Sequence, residues 1–209
     1  PGGRAGTGRR RTPASTRGSD RESLTGFGGW FLPEPAEPVR MHGAAPIEER
    51  IGTALRDRGE RIGIAESCTG GLICSLLTDV PGSSDYFEGG IVSYSPGAKL
   101  HELAVSREAL DRHGAVSEPV AREMAQRVRD IEETTWGVST TGFAGPSGGT
   151  DENPVGTVYI GVAYAGELGS GTTATRVERY RFTGERTEVK ARMARRALSV
   201  GREAIDTRS

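Results

Sequence analysis

The stretch RIGIAESCTGGLICSLLTDVPG, residues 61–82, changes its period in the middle. Ile62-Gly63-Ile64-Ala65 is a short apolar run that suits a buried strand. It stops at Glu66, and three side chains able to act as nucleophiles follow: Ser67, Cys68 and Thr69. Gly70 and Gly71 come next. Leu72, Ile73, Leu76, Leu77 and Val80 then recur at helical spacing until Pro81-Gly82. A buried strand that hands over directly to an amphipathic helix is the unit of an α/β sheet, and it fixes the fold class more firmly than any other stretch.

The rest of the chain repeats the alternation. Ile47, Ile51 and Leu55 mark a helix over 47–59 that stops at Gly59. GGIVSYS (89–95) is the second strand, followed by short helices over 99–104 and about 106–113. Ser117 caps a long helix with Pro119 in its first turn and Val120, Met124, Val128 and Ile131 on its inner face. WGVSTTG (136–142) is the third strand, and FAGPSGGTDENP a glycine-rich loop. VGTVYIGVAYAG (155–166) and TTATRVERYRF (172–182) read as a hairpin. The last helix begins after Gly184 and turns Val189, Met193, Ala197 and Val200 inward. The expected architecture is a three-layer α/β/α domain with a mixed, mostly parallel sheet and a terminal β-hairpin.

The first forty residues do not belong to that pattern. PGGRAGTGRRRTPASTRGSD and the later PEPAEP offer almost nothing to bury, so residues 1–41 are expected to form a disordered extension and 42–209 the folded domain. The first methionine is Met41, where native translation is expected to start. Seven arginines among residues 1–40 are diluted by four acids and form no motif, so nucleic acid is not an expected partner. From Met41 onward acids outnumber bases, which offers nothing to a polyanion. No apolar run reaches the roughly 18–20 residues of a membrane span. Cys68 and Cys74, six apart, suit neither a metal site nor a structural disulfide. The chain reads as soluble and cytoplasmic, with no cofactor and no metal. Self-association is left open. Neither GxGxxG after a strand nor GxxxxGK[ST] occurs, which removes the usual support for a dinucleotide fold or a P-loop.

In open α/β sheets ligands bind beyond the carboxyl ends of the strands, where Ser67 falls. N–H groups of Thr69, Gly70 and Gly71, at the start of a helix, can hold an oxyanion or a phosphate there; alternatively Ser67 and Thr69 only cap the helix. Of the 27 basic residues only Lys99 and Lys190 are lysine. Arginine stays protonated, whereas a desolvated lysine becomes a neutral base. Lys99 follows the second strand and is expected near the same sheet edge; Lys190, close to Glu188, reads as a solvated surface residue. Ser67 and Lys99 thus pair as nucleophile and general base, with Tyr94 relaying the proton, fixing the lysine or simply packing on a neighbour. Cys68 is the rival nucleophile, although no histidine stands out as its partner. TTGFAGPSGG (140–149) is a second glycine-rich element at a strand end, where Thr141, Gly142, Gly145 and Gly148 can cradle a phosphate or ribose. Arg181 and Arg186 flank FTGE, and either can clamp a phosphate.

Taken together, AESCTGG, PGSSDYFEGGIVSYSPGAK, HGAVSEPVAREMA, TGFAGPSGG, PVGTVYIGVA and FTGER resemble the CinA C-terminal domain family, in order and over about residues 47–206. The resemblance implies a stand-alone nicotinamide-mononucleotide deamidase, a serine amidase that converts the carboxamide of its nucleotide substrate to the acid and ammonia. It places the family's nucleophile on Ser67, its lysine on Lys99 and its tyrosine on Tyr94. It also gives substrate-binding roles to Ser84 in the GSS turn, to Thr141 and to Arg186. The chain departs from the family pattern at Glu185, where Asp is usual, and at Pro96-Gly97 after the YS pair. Two other readings stay open: a non-catalytic nucleotide-binding or interaction module linked to competence or DNA damage, and an amidase on another small amide.

Overall fold

The computed structural model describes Gly2 and residues 45–208. The expectation for residues 1–41 otherwise lies outside the described residues. Five strands, β1 (Ile62–Glu66), β2 (Phe87–Val92), β3 (Trp136–Gly142), β4 (Thr157–Tyr164) and β5 (Ala174–Arg181), form one open sheet in the order β2-β1-β3-β4-β5. β2 and β3 flank β1 in parallel, while β4 is antiparallel to both β3 and β5. Four strands therefore run one way and only β4 runs against them, which is the mixed, mostly parallel sheet with a terminal hairpin that the sequence predicts.

Helices cover both faces. α1 (Ile47–Arg58), α2 (Leu72–Thr78) and α6 (Arg186–Asp206) pack on one side, where Ile51, Leu55, Ile62, Ile64, Ile73, Leu77, Met193 and Leu198 form the larger core. α3 (Pro96–Glu102), α4 (Arg107–His113) and α5 (Glu118–Ile131) lie on the other, around Ala65, Leu103, Val105, Val120, Met124 and Val128. β1 is buried at every position because it lies inside the sheet with helices above and below. Its side chains alternate: Ile62 and Ile64 enter the larger core and Ala65 the smaller.

A run of glycines lets α5 lie close on the sheet. A Cβ on Gly63 would sit 3.1 Å from the Val128 carbonyl oxygen, and one on Gly137 or Gly161 would overlap the carbonyls of Ala125 or Ala121. Ser139, two residues beyond Gly137 on β3 and opposite Gly161 on β4, donates a 2.6 Å hydrogen bond to Ala121 O. That support sets the position of β3, and with it the glycine-rich loop that follows.

Three boundaries differ from the sequence expectation in ways that matter for the site. The second strand spans 87–92 rather than 89–95: Phe87 already pairs opposite Ile62, and Pro96 opens α3. Residues 93–95 thus form a turn, and Ser95 caps α3 by accepting from Ala98 N at 3.0 Å. Ser117 precedes α5, yet its hydroxyl donates to Gly114 O at 2.9 Å instead of capping the helix. Ile131 ends α5 half exposed rather than on its inner face. Among the described residues no helix is long and apolar enough to cross a membrane.

Candidate active site

The carboxyl ends of β1 and β3 and the turn after β2 meet around Ser67. Its N–H donates to Thr140 O at 3.0 Å, and Ser93 N donates to Glu66 O at 2.8 Å, so both neighbouring segments fix the exit of β1. Strand parity sends the Glu66 side chain toward α2, where its buried carboxylate accepts from Gly71 N and Cys74 N, each at 2.9 Å. The turn Ser67–Gly71 is thereby held at both ends. Helix α2 starts at Leu72, later than a helix beginning at Thr69 would. Gly70 and Gly71 take left-handed φ values of 61° and 92°, which a side chain would strain.

Lys99, on α3, is 1% exposed. Its Nζ lies 2.8 Å from Ser67 Oγ and 2.7 Å from Ser93 O. Burial lowers its pKa from 10.5 to about 8, against a smaller opposing influence from Cys68. A neutral fraction is therefore present near neutrality, and its lone pair can accept the Ser67 proton while Ser93 O keeps hold of an N–H. Cys68 sits beside this pair but is buried, and burial pushes its thiol up to about 12, with Lys99 acting weakly the other way. Protonated and packed against Gly142, it lacks the thiolate a cysteine nucleophile needs.

A cavity of about 270 Å³ opens over Ser67 and Lys99. Tyr94, Thr141, Gly142, Gly148 and Arg186 line it, as do Phe143, Ala144 and Ser147 of the same glycine-rich loop, together with Ala115 and Val116, which the sequence reading did not assign to the site. No Asp or Glu is among its lining residues. Gly145 sits behind the wall, where its carbonyl accepts a hydrogen bond from Arg186.

Several expected contacts take other forms. Tyr94 is 65% exposed, and its hydroxyl faces Arg186 at 3.4 Å; Lys99 reaches Ser67 directly, so no relay through Tyr94 stands between them. The Thr69 hydroxyl is buried against Thr140 Oγ1 at 2.7 Å, and Gly71 N–H is taken by Glu66. Thr69, Gly70 and Gly71 do not line the cavity. The Thr141 hydroxyl proton goes to Ala115 O at 2.7 Å, leaving the oxygen as an acceptor only. Ser84 lies on the short 3-10 turn Ser83–Asp85, ahead of β2. In a parallel pair that is the opposite, amino end of the strands from Ser67, which follows the carboxyl end of β1. Arg181 ends β5 exposed and away from the cavity; of the two candidate clamps only Arg186 reaches it. Glu66 and Ser93 are the positioning groups the sequence reading passed over. A carboxylate closing a wholly buried strand was the available signal for the first. Among the described residues no group of three His, Cys, Asp or Glu side chains comes together as a metal site.

The model of the CinA C-terminal domain matches residues 44–205. A CinA-like protein of Chlorobium limicola is 49% identical over 156 residues, covering 75% of this chain and 36% of that protein. A putative competence-damage inducible protein of Caldicellulosiruptor saccharolyticus is 43% identical over 159 residues, covering 76% and 37%. The chain thus spans well under half the length of these curated relatives. Among solved structures, a CinA superfamily protein from Klebsiella pneumoniae superposes with a TM-score of 0.71 at 32% identity, over 77% of this chain and 96% of that one. The competence/damage inducible protein CihA from Agrobacterium tumefaciens gives 0.70 at 34%, over 77% and 93%.

Proposed function

The chain belongs to the CinA C-terminal domain family, and from that premise we propose that it is a serine–lysine amidase that hydrolyses the carboxamide of nicotinamide mononucleotide to nicotinic acid mononucleotide and ammonia. The observation that carries this reading is the buried Lys99 Nζ 2.8 Å from Ser67 Oγ, at the floor of a cavity lined by no carboxylate and rimmed by Arg186. Neutral Lys99 takes the Ser67 proton as Oγ bonds to the carboxamide carbon. The oxyanion is assigned to the backbone N–H of Cys68, the residue after the nucleophile, which lines the cavity and is engaged by neither Glu66 nor Thr140 O. Lys99 then gives its proton to the departing nitrogen, the C–N bond breaks, and ammonia leaves an ester on Ser67. Water attacks that ester and loses a proton to Lys99, the C–Oγ bond breaks, the proton returns to Ser67 Oγ, and the released carboxylic acid gives its remaining proton to solvent. Phe143, Val116 and Ala115 offer an apolar wall to the pyridine ring, and Arg186 an anchor for the phosphate.

The test is ammonia and nicotinic acid mononucleotide release by the purified chain. Stoichiometric production of both supports the reading. Binding without turnover would leave a nucleotide-binding module, and turnover of other small amides alone would move the substrate class.

A further inference from the structure

The second of the two lysines is not the solvated surface residue its sequence context suggests. Lys190 lies one turn beyond Arg186 on α6 and is half-buried. Its Nζ stands 3.4 Å from the point a Cβ on Gly70 would occupy, over the exposed tip of the turn that carries Ser67. Among the described residues no ion pair joins it to a carboxylate. Glu188, its neighbour on the helix, is directed at Gly184, where its Oε2 lies 2.8 Å from the Cβ position. Residues four apart share one face of a helix, so Lys190, beside Gly70, and Arg186, which lines the cavity, stand on the same side of α6. Arg186 already uses one N–H on Gly145 O and faces Tyr94 with another group, which orients it toward the cavity and leaves donors over.

We infer that Lys190 and Arg186 together form an anion seat at the rim of the cavity, that the seat takes a phosphate monoester, and that Lys190 makes the site prefer a phosphorylated amide over its unphosphorylated counterpart. The inference rests on the amidase reading only for what is attached to the phosphate. An ammonium held over the turn adds a point charge that Arg186, already bonded to its loop, does not supply. A glycine at position 70 leaves the space beside it unfilled.

The test measures kcat/KM for nicotinamide mononucleotide and for nicotinamide riboside with the unmodified chain, Lys190→Met and Lys190→Arg. Loss of one charged phosphate contact predicts that the preference for the mononucleotide falls about tenfold or more in Lys190→Met and is largely kept in Lys190→Arg. An unchanged preference in Lys190→Met, or an equal fall for both substrates, overturns the seat. If the unmodified chain hydrolyses neither compound, the amidase reading fails, and the seat is read separately by thermal protection with inorganic phosphate against sodium chloride of equal ionic strength. Protection that is lost in Lys190→Met and kept in Lys190→Arg supports it. Equal protection in all three, or none in the unmodified chain, overturns it.

Discussion

Burying Lys99 has a stability cost that depends on pH, and replacing it with methionine isolates that cost. The folded-state pKa is lowered from 10.5 to about 8, so between those values the unfolded chain binds the proton and the folded chain does not. Stability of the unmodified protein therefore rises with pH across this window. At ~1.4 kcal/mol per unit, the penalty is about 3 kcal/mol at pH 7 and has shrunk to about 1 kcal/mol at pH 10. Lys99→Met carries no such penalty but leaves Ser93 O and Ser67 Oγ without their partner, a loss of about 1–3 kcal/mol that does not depend on pH. The stability difference between the two proteins should thus move by about 2–3 kcal/mol from pH 7 to pH 10, in favour of the lysine form at the higher pH. Every other titrating group, Cys68 included, is common to both proteins and largely cancels. Urea unfolding at the two pH values reads the effect: with a slope of about 1–3 kcal/mol per molar, the relative midpoint shifts by roughly 1 M. A difference that stays constant with pH would show that Lys99 is not depressed in the fold, and the argument for a neutral base would fail.

Three further outcomes follow from the same geometry. The pH dependence of kcat/KM for ammonia release should rise through about 8 and then level, because the deprotonated lysine is the active form; a profile flat from pH 6 to 9 contradicts it. Glu66→Ala leaves the Gly71 and Cys74 N–H groups without their acceptor, and should cost about 2–5 kcal/mol in urea unfolding and most of the activity, with Glu66→Gln between the two; a neutral Glu66→Ala removes the carboxylate's role in shaping the turn. Gly142→Ala puts a Cβ into Thr157 O, 2.9 Å from Val158 Cα and 3.2 Å from Cys68 Sγ, and should destabilise by at least about 2 kcal/mol, while an unchanged melting temperature would show that β4 yields freely there.

The strand–turn–helix at residues 61–82 was legible because its period changes where the backbone changes, and the third strand coincides with the apolar run 136–142. The second strand was misplaced by two to three residues because Gly89 and Gly90 carry no period signal, whereas Phe87 is recruited by pairing with Ile62, a contact across the sheet. That slip also put Tyr94 on a strand, and so gave it a relay role that its exposed position in a turn does not favour. Lys99 was legible through rarity, as one of two lysines among 27 basic residues, although the same argument failed for Lys190, whose surroundings come from the packing of α6 beside the nucleophile turn. Glu66 and Ser93 act through backbone partners that only folding brings near. Ser84, 17 residues from Ser67, precedes β2 and so lies at the opposite strand end from Ser67, a placement that the motif does not reveal because the topology sets it.

The pairing of Ser67 with Lys99, rather than a thiol chemistry at Cys68, is tested most directly by kcat for ammonia release from nicotinamide mononucleotide in Ser67→Ala, Cys68→Ala and Lys99→Arg. Losing a nucleophile or its base removes about three or more powers of ten in rate. Ser67→Ala should fall by that much and Lys99→Arg nearly as far, because arginine keeps the charge but accepts no proton, while Cys68→Ala should keep most of its turnover. A Ser67→Ala protein with near-normal kcat, or a Cys68→Ala protein that has lost it while still folded, would contradict the account.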